Sequence, residues 1–208
     1  MQEYSLLVSY FGEQLKLIDT ENRNRLIEVF KEVPEDFYYK PSTSSNRYHN
    51  SIDNLTHGLL YHTRRVCIHL ESIMKSYTMV VGEIKKVDID SLRTAAILHD
   101  ICKWSLNGTH TNANHDTLGS DYAKSKGFND LVCEAIRYHS GYWSTDLLKN
   151  GGKGLREIPH FTLILMLHLA DMTASSADDV MFIGNPETFD FDAMRNNRGK
   201  EGYDVRWW

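Results

Sequence analysis

The sequence predicts an all-α fold, and three observations carry that prediction. Apolar residues recur at helical spacing in seven blocks, at about 3–18, 22–32, 55–77, 90–104, 114–126, 129–140 and 160–175. Strand-like alternation is scarce, and residues that start and stop helices fall at the edges of several blocks. In chain order, the first three blocks rest on periodicity, and a polar, serine-rich loop, "YYKPSTSSNRYHNS" at 38–51, separates the second from the third. Asp90 can cap the helix that carries "SLRTAAILHDICKW". Gly127 can end the next helix and Asn129 can begin the one after it, while "KNGGKG" at 149–154 opposes regular structure. Pro159 suits the first turn of a helix running through "HFTLILMLHLADM".

The chain has 208 residues, of which 41% are hydrophobic, enough for one sizeable core, and it shows neither a repeat nor a domain linker. It reads as a single domain with a polar C-terminal extension, 183–208, whose final "RWW" could dock on the body or serve a homo-oligomer contact. A formal net charge of −5 provides no global field for a long nucleic acid, although a local cationic pocket for a small phosphate is compatible with it. Cys67, Cys102 and Cys133 cannot all pair within one chain and read as reduced thiols, which implies a cytoplasmic home. The N-terminus lacks a basic region ahead of a long apolar core, and the longest apolar run, near "FTLILML", is too short to span a bilayer.

The stretch "AAILHDICKW", 95–104, sets the chemical problem. Four apolar residues predict burial, yet burying His99 and Asp100 without partners would cost about 1–3 kcal/mol per unsatisfied polar group, and more for a charge. Something must bind them. Of ten histidines, His62, His99, His115 and His139 lie in or beside apolar helical segments, together with Asp100 and Asp171. Any one of these rings could be a core histidine bonded to backbone. As a set they form a ligand inventory, since neutral imidazole and carboxylate suit Mn, Fe, Co, Ni or Zn, with Mg also within reach, and a carboxylate can bridge two cations. Adjacent helical residues point about 100° apart, so His99 and Asp100 can share an ion only if it lies over the edge between them. Other helices must supply the rest.

On these residues the chain resembles the HD-domain superfamily, in which H…HD…D is distributed over separate helices of an all-α bundle. His62 in "GLLYHT", the doublet His99-Asp100 in "LHDICK" and Asp171 in "LHLAD" match that order, and the resemblance covers about 41–177. His115 and His139 resemble the extra histidines of two-metal members. "PSTSSNRYH" and "YHSGYW" are similar to segments of small bacteriophage and bacterial HD proteins, so the expected cytoplasm would be the host's if the chain is phage-encoded.

The resemblance implies a metal-dependent phosphohydrolase acting on a nucleotide or a related small phosphate ester or anhydride. His62, His99, Asp100 and Asp171 would hold one ion, and Asp100 would bridge to a second held by His115 and His139. Lys103, four residues after His99, could offset charge on a phosphate or leaving oxygen. His57 lies off the ligand face but could donate a proton near the mouth, a solvated loop histidine being the competing reading. Ser44, Ser45, Arg47, Tyr48 and His49 of the serine-rich loop suit a phosphate or sugar, and Tyr142 and Trp143 could stack on a base or merely pack a helix end. His110 competes with His115 as a ligand, and His168, three residues before Asp171, could support the pocket from behind or belong to the core. Three other readings stay open: a phosphodiesterase, including a 3′–5′ exonuclease or cyclic-nucleotide hydrolase; a di-iron oxygenase; and a catalytically idle nucleotide-binding module.

Overall fold

A computed structural model of the chain describes residues 2–33, 35–43, 52–104, 114–149 and 154–176, and among these it forms eight α-helices and no strand. The first two helices, α1 (Gln2–Lys16) and α2 (Thr20–Glu32), are joined by a tight turn in which Asp19 caps α2, its side chain accepting from Asn22 N at 2.9 Å. Leu7, Phe11 and Leu15 recur every four residues on α1 and are buried with Leu26, Val29 and Phe30 of α2. A 3₁₀ turn at Glu35–Tyr39 adds Phe37 edge-on to Phe30, with ring centroids 6.3 Å apart. This layer packs on the outside of α3 (Gly58–Val80) and α4 (Lys86–Leu98).

The inner bundle adds α5 (His115–Ser125), α6 (Asp130–Tyr138), a short α7 (Thr145–Lys149) and α8 (Phe161–Ser176). Helix α3 lies along α8, α4 along α6, and α5 along α6. Because α8 is apolar along most of its length, it is stable only among other helices, where it buries Ile164, Met166, Leu167, Ala170 and Ala174. Ala95, Ala135 and Ala170 are fully buried, and such small side chains allow the helix backbones to approach. Gly119 does the same between α5 and α6, where an added Cβ would meet Ile136 Cγ2 at 3.1 Å.

Two helices, α4 and α8, depart from their expected boundaries. Helix α4 starts at Lys86, a turn before Asp90, because Ile89 already packs on the core; Asp90 is buried and takes Lys86 Nζ at 2.7 Å instead of capping the helix. At its other end α4 stops at Leu98, and 99–104 continues as turns tightened by Ile101 N to Leu98 O at 2.9 Å and Lys103 N to Asp100 O at 3.0 Å. Pro159 stands just ahead of α8 instead of inside its first turn. The short α7 and the four 3₁₀ turns carry too few residues to show a period. The expected C-terminal extension lies outside the described residues, as do 150–153 of the glycine loop. No described helix is long and apolar enough to cross a membrane.

Gly127 and Asn129 behave as expected. Gly127 has φ +77°, its N–H reaches Lys124 O at 3.0 Å, and Phe128 N reaches Ala123 O at 3.2 Å, which closes α5 in a Schellman motif. Asn129 caps α6 by accepting from Val132 N at 3.0 Å. Arg25 of α2 seals this corner by donating to Lys126 O, and a Cβ on Gly127 would come within 2.4 Å of its Nη1. Gly127→Ala is therefore expected to lower stability by about 1–2 kcal/mol in denaturant titration, since a left-handed backbone is strained for any L side chain, while metal content stays unchanged.

Candidate metal centre

The last carbonyls of an α-helix have no partner within the helix, and two histidines use this. His99, the residue after α4, donates Nδ1–H to Ala96 O at 2.8 Å; His139, the residue after α6, donates Nδ1–H to Ile136 O at 2.7 Å. A carbonyl can only accept, so each ring keeps a proton on Nδ1 and turns Nε2 to the interior, the atom left to meet a cation. His168 of α8 donates from Nδ1 to His139 O at 2.7 Å, and its ring fills the space against Gly141, where a Cβ would meet it at 2.8 Å. Gly141 also has φ +58°, so this turn requires glycine twice over. His115 opens α5 and Asp171 lies on α8.

These elements converge on Asp100, whose side chain is 2% exposed. Its Oδ2 lies 3.5 Å from His99 Nε2 and 3.8 Å from His62 Nε2, while its Oδ1 lies 3.3 Å from His115 Nε2 and 3.7 Å from His139 Nε2. One oxygen faces each pair of rings. Within the pairs, Nε2 to Nε2 is 3.3 Å for His62 and His99 and 3.3 Å for His115 and His139. Asp171 Oδ1 completes the first group, 3.0 Å from His62 Nε2 and 4.0 Å from His99 Nε2. Nitrogens whose lone pairs face each other at such a distance repel unless a proton or cation joins them, and the buried Asp100 Oδ1 makes no hydrogen bond of good geometry. The donor set fits a divalent transition metal, and two groups could hold one: His62, His99 and Asp100; and Asp100, His115 and His139.

A family model, that of the HD domain, matches residues 59–175. The chain is an HD-domain protein. Its superfamily is one of metal-dependent hydrolases, and HD domains bind divalent metals. No curated protein and no solved structure matches the chain significantly.

The other residues singled out in the HD-domain sequence are placed as follows. Lys103 is mostly buried and its Nζ pairs with Asp100 Oδ2 at 2.7 Å, so it stands on the oxygen that faces His62 and His99. The structure does not bring His57 to the group: it begins α3 at φ 67°, donates Nδ1–H to Tyr38 O at 2.6 Å and packs among Tyr10, Tyr39 and Tyr61. Five helical positions turn it about 140° from His62, which accounts for the separation. Tyr142 is 53% and Trp143 62% exposed, so neither packs a helix end; Trp143 lies beside His168, with ring centroids 6.3 Å apart. Ser44, Ser45, Arg47, Tyr48, His49 and His110 lie outside the described residues. The loop's described start is tied to the doublet turn, because Trp104 Nε1 donates to Pro41 O at 2.7 Å. The three cysteines are separate buried thiols, and burial pushes Cys67 up to about 12 and Cys102 to about 11.

Sequence reasoning missed two buried carboxylates. Asp53 faces His62 Nδ1 at 3.5 Å and pairs with Arg65. Asp116 accepts from Thr145 N at 2.6 Å, Thr145 Oγ1 at 2.7 Å and Thr117 N at 2.7 Å, tying the start of α5, and so His115, to α7. Neither has a local pattern that separates it from a surface aspartate at a helix start.

Burial opposes ionisation of both Asp100 and Asp171, yet Lys103 and imidazoles outweigh it at Asp100, and His62 does so at Asp171, holding both carboxyls well below the usual range. Burial beside His99 and His115 pushes His139 down to about 4, which keeps it neutral, as a ligand must be. His62 goes the other way: burial disfavours its charge, but Asp171 and Asp53 prevail and raise it to about 9 in the metal-free protein. The unfolded chain titrates this ring near 6.5, so its contribution to stability is full below pH 6.5 and is lost as pH rises through about 9. Chelator-treated protein should therefore lose melting temperature across this window, and metal-loaded protein should lose less, because the ion replaces the proton. A flat profile without metal would mean that His62 is already neutral.

Proposed function

We propose that this HD domain is a phosphohydrolase that cleaves a nucleotide or a related small phosphate ester or anhydride with the help of two divalent ions. The observation that carries the reading is Asp100, buried with one carboxylate oxygen toward His62 and His99 and the other toward His115 and His139. His62, His99, Asp100 and Asp171 would hold one ion; Asp100, His115 and His139 would hold the other. Divalent ions supply Lewis acidity toward a phosphoryl oxygen and make water a stronger acid.

The remaining work falls to this chain's own side chains. His139 stays neutral, its ring fixed by Ile136 O on one side and its backbone by His168 on the other. Lys103, held beside the group by Asp100, is the cation able to meet negative charge that grows on a phosphoryl or leaving oxygen. Trp143 and Tyr142 present open aromatic faces next to the His139 turn, suited to a base. The serine-rich loop, whose start is tied to the doublet turn, is the reading for phosphate or sugar contacts. Buried thiols outside any disulfide fit a reducing compartment, and the acidic chain favours a small substrate over a long nucleic acid.

Metal content and turnover test this together. Asp100→Ala should abolish hydrolysis in a nucleotide screen and lower retained metal by elemental analysis, whereas the His115→Ala, His139→Ala double variant should fall from about two equivalents to one. One equivalent in both the parent and the double variant would make the enzyme mononuclear. Lys103→Ala should keep its metal and lose about 10²–10³ in turnover. Turnover within twofold of the parent would restrict Lys103 to pairing with Asp100.

A further inference from the structure

His62 differs from His99 and His139 in where it sits. Those two follow the last residue of a helix, where a spare carbonyl takes the Nδ1 proton. His62 is the fifth residue of α3, and there the carbonyl three residues back is already in use: Leu59 O closes the helical ring and also accepts from Thr63 Oγ1 at 2.8 Å. A ring at this position needs a partner from outside its helix.

Asp53 faces it. The Asp53 side chain is fully buried, Oδ2 lies 3.5 Å from His62 Nδ1, and Oδ1 takes the guanidinium of Arg65, three residues beyond His62 and so on the same side of α3. The backbone of Asp53 is held as firmly: its carbonyl accepts Ser42 N at 2.7 Å, and a Cβ on Gly58 would come within 2.0 Å of that oxygen. Only glycine lets α3 begin against it. At the other ring nitrogen, Asp171 Oδ1 lies 3.0 Å from Nε2 and attracts the proton to the atom that must be bare to hold an ion.

We propose that Asp53 is a positioning residue: locked by Arg65, its carboxylate keeps the proton of His62 on Nδ1 and aims the bare Nε2 at the ion shared with His99 and Asp100. The proposal rests on the metal-site reading above. Arg65 balances the charge of Asp53, so the device orients the ring without adding net charge to the site. It also links the ligand to Ser42, within the serine-rich loop.

The test uses the full chain with Zn²⁺ as probe, titrated against a chromogenic chelator. Removing one charge of a buried pair strands the other, so the informative variant is the double Asp53→Asn, Arg65→Gln. It should bind one equivalent of Zn²⁺ about 10–100-fold more weakly, with the other equivalent unchanged. Unchanged affinity for both equivalents, even with a lowered melting temperature, would reduce the pair to a structural role and overturn the proposal. A parent that takes up no Zn²⁺ would overturn the metal-site reading itself. Histidine ring ¹⁵N NMR on the Zn²⁺-loaded parent needs no variant to fold: the proton of His62 should be on Nδ1 and Zn²⁺ on Nε2, and the reverse overturns the proposal.

Discussion

A carboxylate buried at the junction of five helices constrains everything around it. Desolvating Asp100 is expensive by several kcal/mol, and Lys103 offsets only part of that by pairing with one oxygen. The other oxygen looks at His115 and His139 and has no hydrogen bond of good geometry. A sequence selected for stability alone would place an apolar residue here. The core instead brings α3, α4, α5, α6 and α8 close enough for their polar side chains to meet, and the alanines and glycines between these helices make the approach sterically feasible.

The same physical device recurs on both sides of that carboxylate. Helices α4 and α6 each stop one residue before a histidine, and each ring returns its proton to the carbonyl three residues back. Helix termination, usually a matter of local stability, is here what fixes the Nδ1 proton of a candidate ligand. The rings that do not follow a helix end are stabilised otherwise: His115 through its neighbour Asp116 and the link to Thr145, His62 through the chain folded against Gly58.

Much of this was legible in the sequence, and what was not has identifiable reasons. The long helices were readable because their apolar faces repeat several times, and the H…HD…D order, with His115 and His139, named the side chains that the fold brings together. The end of α4 was not, because "ICKW" prolongs the apolar period past the point where the backbone tightens into turns. Asp90 looks like a cap because Ser, Asp and apolar residues follow one another there, but the burial of Ile89 draws the helix one turn further back. Asp53 and Asp116 were invisible for a different reason. Their significance is tertiary: one lies 12 residues from Arg65 and the other 29 from Thr145, and no spacing rule connects such pairs.

Charge accounting reconciles an acidic chain with the anionic substrate proposed for it. The formal net charge is −5, yet around the site Asp53 is cancelled by Arg65, the imidazoles that bind are neutral, and Asp100 and Asp171 are set against Lys103. In the metal-free protein the proton on His62 brings the cluster close to neutral; once an ion displaces that proton, the side chains are negative by about one charge, which favours holding the cation. With two divalent ions it would hold about three positive charges in excess, and with one ion about one. A phosphate ester, carrying up to two negative charges, is attracted in either case, but only the two-ion site stays electropositive after it binds and so continues to stabilise charge that develops as the ester is cleaved. The chain's negative net charge disfavours long polyanions while this small interior field acts at short range, and the contrast between the two would underlie the proposed preference for small phosphates.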